Sequence, residues 1–146
     1  MRPWPILRGS LRSHLRMTAE LTGLGFTSTH VQDTQHMKIP TLPFTVTDWS
    51  QVEPTTHKGE TGQALWRTLN IGDLRVRVVE YTPGYLADHW CDRGHVLYVL
   101  EGELDSELRD GRTFKLTPGM SYQVSDFGDA AHRSSTKTGA KLFIVD

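Results

Sequence analysis

The chain has 146 residues, with 16 lysines and arginines, 17 aspartates and glutamates, and a single cysteine. This length suits one domain whose core is large enough to fold without disulfides. The formal net charge of −1 excludes attraction of nucleic acid by the charge of the whole chain, and the single cysteine excludes an intramolecular disulfide, so we expect no nucleic-acid partner and a reducing, cytoplasmic location.

Residues 1–36 differ in composition from the rest of the chain. Four arginines precede the first acidic residue, Glu20, and three leucines recur at helical spacing, which predicts a short basic amphipathic helix in a weakly ordered extension. The extension resembles an organelle transit peptide, yet it lacks the apolar run of a secretory signal or a membrane span, so we expect no membrane partner. The interpretation favoured here is that translation begins at Met37, with the domain formed by residues 37–146.

From residue 37 onward the sequence is typical of short strands separated by turns. Pairs such as Pro83-Gly84 and Pro118-Gly119 separate the apolar runs, and Asp110-Gly111 is the clearest two-residue hairpin turn. These features predict an all-β barrel or sandwich of antiparallel strands. The predicted strands are 44–48, 64–69, 74–81, 95–100, 104–108, 113–116, 121–124, 132–135 and 141–145.

Two arginines alternate with valines on one predicted strand. Arg75 and Arg77 flank Val76, so both side chains lie on the same face of the sheet. If that face lines the barrel, the pair is a candidate clamp for a substrate carboxylate. The alternative is the solvated face of a sheet, which is the commoner place for such a pair.

One seven-residue segment, 89–95, holds two histidines and the only cysteine. In an extended segment His89 and Cys91 project to the same face, and His95 follows a turn that can fold it back toward them. Imidazole nitrogen and thiolate sulfur favour zinc, iron, copper or nickel over magnesium or calcium. The segment therefore predicts a site for one divalent transition metal.

His132 is the candidate for a fourth donor, because it follows the turn-rich segment 125–131 and precedes a predicted strand.

Two groups of residues around the donors resemble the two sequence motifs of the cupins. The first motif is matched by Gly84, His89, Cys91, His95 and Gly102. The second motif is matched, with two substitutions, by Gly119, Ser125, Gly128, His132 and Thr136.

This resemblance implies a fold, a ligand set and an oligomeric state. Cupins are jelly-roll barrels, also called double-stranded β-helices, and many of them are homodimers. The resemblance implies that His89, Cys91, His95 and His132 hold the metal, with the thiolate in place of the usual second histidine and His95 in place of the usual glutamate. A closer resemblance is to the small DHCW-motif cupins, which have no well-defined activity. It is carried by Ala87-Asp88-His89-Trp90-Cys91, Gly94-His95 and Ala131-His132-Arg133-Ser134-Ser135.

The resemblance leaves several kinds of function open. Small metal cupins include dioxygenases, isomerases and lyases, so one hypothesis is a metal-dependent enzyme acting on an unidentified small molecule. The implied ligand set lacks the two-histidine, one-carboxylate triad of non-haem iron oxygenases, so iron oxygenase chemistry is less favoured. A second hypothesis is a non-enzymatic module that binds a small molecule or senses metal or oxidant. A third makes Cys91 a nucleophile or redox thiol with His89 or His95 as base, although no resolving cysteine accompanies it.

Overall fold

The computed structural model describes residues 42–128 and 131–146. Over these residues the chain forms a 3-10 turn at Trp49–Gln51 and nine strands. The strands are β1 (Thr55–Lys58), β2 (Gln63–Ile71), β3 (Leu74–Tyr81), β4 (His95–Gly102), β5 (Leu104–Leu108), β6 (Thr113–Leu116), β7 (Ser121–Val124), β8 (His132–Ser135) and β9 (Ala140–Val145). No helix in the described part is long and apolar enough to cross a bilayer. The helix predicted within residues 1–36 and the start at Met37 lie outside the described residues.

The strands form two antiparallel sheets. The larger sheet has the order β1-β2-β3-β9-β4-β7, and the smaller sheet has the order β6-β5-β8. Inward-facing side chains of both sheets, among them Val79, Leu97 and Leu142 from the larger and Leu104 and Leu116 from the smaller, form one apolar core. Because alternate residues of a strand face opposite sides, burial of every second side chain, as in β5 and β9, fixes the register of those strands. The predicted all-β architecture, a jelly roll, is confirmed.

A glycine makes the sharp passage from the larger sheet into the smaller one. Strand β4 ends at Gly102 and β5 begins two residues later. Gly102 has φ +76°, and a Cβ atom there would collide with the carbonyl oxygen of Gly139. Only glycine tolerates both the left-handed backbone and the close approach.

Three predictions about strands and turns need correction. Residues 44–48 are not a strand: Phe44 is 97% exposed and the segment pairs with no strand of the described part. An edge strand, β1, was missed because its sequence contains no aliphatic or aromatic residue. The turn at Asp110-Gly111 is confirmed as a hairpin, but its loop has three residues, since the amide of Gly111 donates to the carbonyl of Leu108, and the amide of Leu108 to the carbonyl of Arg112.

Candidate metal centre

A backbone bridge joins the segment that carries Cys91 to the start of β8. The amide of Cys91 donates to the carbonyl of His132 at 2.8 Å, and the amide of His132 donates to the carbonyl of Cys91 at 2.9 Å. Residues that exchange both hydrogen bonds in an antiparallel pair lie directly opposite each other, with their side chains on the same face. The bridge therefore places the thiol and the imidazole side by side inside the barrel.

The donor atoms of Cys91, His95 and His132 all lie within 4.8 Å of one another. The Nε2 atoms of the two histidines are 3.2 Å apart. Tetrahedral zinc with bonds of ordinary length holds its nitrogen and sulfur donors about 3.3–3.6 Å from one another. The separation of the two nitrogens is therefore close to the one that a tetrahedral zinc ion needs, and the sulfur lies near enough to join them.

The ring of His95 is oriented by contacts on both of its nitrogens. Its Nδ1 lies 3.0 Å from the carbonyl oxygen of Arg93, which can only accept, so Nδ1 carries the proton and Nε2 keeps its lone pair. The hydroxyl of Tyr122 lies 2.9 Å from that Nε2. A carbonyl that fixes the far nitrogen of a histidine is the usual support of a metal ligand.

Cys91 lies in surroundings that favour the thiolate. The contacts with His132 and His95 lower the pKa of the Cys91 thiol to about 5, against the opposing effect of burial. The thiolate is the form that binds metal ions and the form that reacts with electrophiles. At neutral pH the cluster thus presents one anionic sulfur beside two imidazoles.

His89 stands apart from the other three predicted ligands. Its side chain is 70% exposed, and its Nδ1 lies 2.6 Å from the carboxylate of Asp88. It lines the same cavity as Cys91 but is not one of the three residues whose donor atoms converge. The contact with Asp88 leaves its Nε2 unused, so His89 as a metal ligand stays a prediction.

Solved structures with the same architecture come from several bacteria. An ectoine synthase from P. lautus is 21% identical and has a TM-score of 0.56, with 70% of this chain and 76% of that chain covered. An RmlC-like cupin from Shewanella frigidimarina is 24% identical with a TM-score of 0.55, covering 68% and 86%. A predicted oxalate decarboxylase from Thermotoga maritima is 15% identical with a TM-score of 0.58, covering 69% and 96%. The chain has the cupin fold. No family model and no curated protein matches its sequence.

The cupin barrel encloses a cavity of about 280 Å³, which is lined by the three donors. Arg75 and Arg77, the predicted clamp for a substrate carboxylate, line the same cavity. Arg77 is only 6% exposed, so its strand face lines the barrel interior rather than solvent. Arg75 donates from Nε and Nη2 to the carboxylate of Asp146, and Arg77 donates from Nη2 to the same carboxylate at 2.7 Å. Two guanidinium groups therefore share one carboxylate at this end of the cupin cavity.

Asp146 and Tyr122 were not predicted from the sequence, although a signal for each was present. Each occupies a position where the strand pattern points a side chain inward. Asp146 shares a face with Leu142 and Ile144, and Tyr122 shares a face with Val124. Burial favours the neutral form of Asp146, but the hydrogen bond from Arg75 and the charges of Arg77 and Arg75 outweigh it and lower the pKa of this carboxyl. A polar residue at an inward position of a barrel strand is therefore the signal to look for.

Proposed function

We propose that this protein is a metal-binding cupin that holds one zinc, iron, copper or nickel ion and binds a small anionic molecule beside it. The observation that carries the proposal is the convergence of Cys91, His95 and His132, with the two Nε2 atoms 3.2 Å apart. His89 is proposed as the fourth donor, since Asp88 holds its Nδ1 and leaves Nε2 for the metal. The Asp88-His89-Trp90-Cys91 sequence supports a place among the DHCW-motif cupins.

The residues that line the cavity suggest separate roles for the metal donors, the arginines and Tyr122. A metal held by these donors supplies Lewis-acid chemistry, polarising a carbonyl or activating water. Arg75 and Arg77 bind and orient the anionic group of the small molecule, and the hydroxyl of Tyr122 is placed to donate a hydrogen bond beside the donors. Metal-dependent conversion of a small molecule in the cytoplasm is the activity this arrangement supports best.

One observation favours a second candidate function. Cys91 is only partly buried and lies beside two imidazoles that lower its pKa to about 5, which suits a reactive thiol that senses oxidant without turning over a substrate. The two functions differ in what occupies the sulfur: a metal ligand is shielded from electrophiles, whereas a sensing thiol stays open to them.

Alkylation of Cys91 by iodoacetamide tests the proposal. Because the chain has a single cysteine, the extent of labelling reports this residue alone. In metal-free protein the rate should follow the thiolate fraction, with a midpoint near pH 5, and addition of zinc should protect the thiol. Protein unfolded in urea is the control, because its midpoint returns to about pH 8.5. Equal labelling with and without zinc would favour the sensing thiol.

A further inference from the structure

A second cavity, of about 200 Å³, adjoins the first. Its walls are mainly apolar and come from β5, β6 and β7, with Leu108, Phe114 and Val124 among them. The side chains of Tyr122 and His132 line both cavities. The two cavities therefore meet at Tyr122 and His132, beside the donor cluster.

The first cavity has buried donors that lack an acceptor. Nε of Arg77 and Nε1 of Trp66 are buried, and neither has a hydrogen-bond partner among the described residues. The guanidinium of Arg77 lies over the Trp66 ring at 4.4 Å, so the two orphaned groups belong to one unit. Because a buried donor without an acceptor costs free energy, such groups mark a place where a ligand supplies one. An anionic oxygen is an acceptor that matches these donors.

The sizes of the two cavities are compatible with one ligand that occupies both. Pockets for small molecules usually measure about 300–1,000 Å³. Neither cavity reaches that size alone, at about 280 and 200 Å³, but the two together do. Apart from Tyr122 and His132, the polar side chains in the wall of the second cavity are Ser106 and Gln123, and neither of these carries a charge. A second charged group on the ligand would therefore be desolvated there without a partner.

From these observations we infer that the ligand is an amphipathic monocarboxylate. Its carboxylate is bound by Arg75 and Arg77 and accepts from the orphaned donors, its middle lies beside Cys91, His95 and His132, and its apolar tail fills the second cavity. This inference rests on the proposed function and adds the substrate class.

Calorimetric titration of zinc-loaded protein with butanoate, hexanoate and octanoate tests the inference. We expect the affinity to rise by about fourfold for each added methylene, the gain for an apolar group that leaves water. Phe114→Ala should flatten this rise, because Phe114 lines the second cavity and is not one of the candidate metal donors. The matched control is Phe44→Ala, at a side chain that is 97% exposed, and it should leave the rise unchanged.

A second variant distinguishes binding of the carboxylate from binding of the apolar tail. Arg75→Met should weaken every carboxylate by about tenfold or more, since a hydrogen bond to a charged group is lost, while the dependence on chain length persists. Three results would each overturn the inference. The affinity could be independent of chain length, it could rise with chain length as steeply in Phe114→Ala as in the wild type, or butanedioate could bind more tightly than butanoate. Zinc uptake measured on the same samples keeps the two proposals apart: bound zinc without the chain-length effect refutes the ligand class alone, and no bound zinc refutes the proposed function.

Discussion

Replacing His132 by alanine should lower the affinity for zinc roughly a hundredfold. His132 is buried, and its Nε2 lies 3.2 Å from that of His95, so the substitution removes a donor that is already in place. Four-ligand zinc sites bind with about 10–16 kcal/mol, so one ligand contributes about 3 kcal/mol. Competition with a chelating dye measures this loss, and circular dichroism checks that the variant remains folded.

His89→Ala is the informative companion of this variant. The ring of His89 is 70% exposed and lies apart from the three converging donors, so bringing it to the metal costs part of its binding energy. We therefore expect a measurable but smaller loss of zinc affinity than for His132→Ala. Wild-type affinity in both variants would contradict the proposed donor set.

Asp146→Asn should destabilise the fold by about 3 kcal/mol, because it leaves a buried charge without its counter-ion. Arg77 and Asp146 have side chains only 7% and 8% exposed and are joined at 2.7 Å. Arg75 contacts the same carboxylate but is 45% exposed, so water can solvate its charge when the partner is lost. Urea denaturation measures the change in the free energy of unfolding.

Two controls identify the cause of that loss. Adding Arg77→Met to Asp146→Asn removes the orphaned charge and should recover most of the stability. Asp110→Asn breaks an ion pair with Arg112 in which both side chains are about half exposed, and it should change stability little. If Asp146→Asn is no more harmful than Asp110→Asn, the buried ion pair is not a source of stability.

The effect of Asp146→Asn should also depend on pH. The pKa of Asp146 is lower in the folded protein than its ordinary value, so the carboxylate stabilises the fold above about pH 4. This contribution is lost as the pH falls through the lowered folded pKa. The difference in stability between the wild type and Asp146→Asn should therefore shrink in acid.

Most of the strands were predictable because alternation and turn residues agree. The prediction for β5, for example, matches the observed strand Leu104–Leu108, in which buried Leu104 and Ser106 alternate with half-buried Asp105 and Glu107. The prediction failed at 44–48, where Phe44 and Val46 alternate but remain 97% and 82% exposed. Alternation indicates a strand only where a neighbouring strand supplies the hydrogen bonds, and the sequence of one segment does not contain that information.

The cluster of candidate metal donors was predictable in part for a related reason. The motif placed Cys91, His95 and His132 together, and the structure brings these three together. His89 was expected beside Cys91 because alternate residues of an extended segment share a face, but here the backbone pairs only at Cys91 and is irregular on either side. Asp146 escaped prediction because its partner Arg77 is 69 residues away in the sequence.

The metal content of the protein, purified without added metal or an affinity tag, tests the central claim most directly. Elemental analysis should find about one equivalent of zinc, iron, copper or nickel per chain, and substantially less in Cys91→Ser, because the hydroxyl is a poorer ligand than the thiolate for these ions. Protein that contains none of these metals, and that takes up none when each is added, would contradict the claim that Cys91, His95 and His132 form a metal centre.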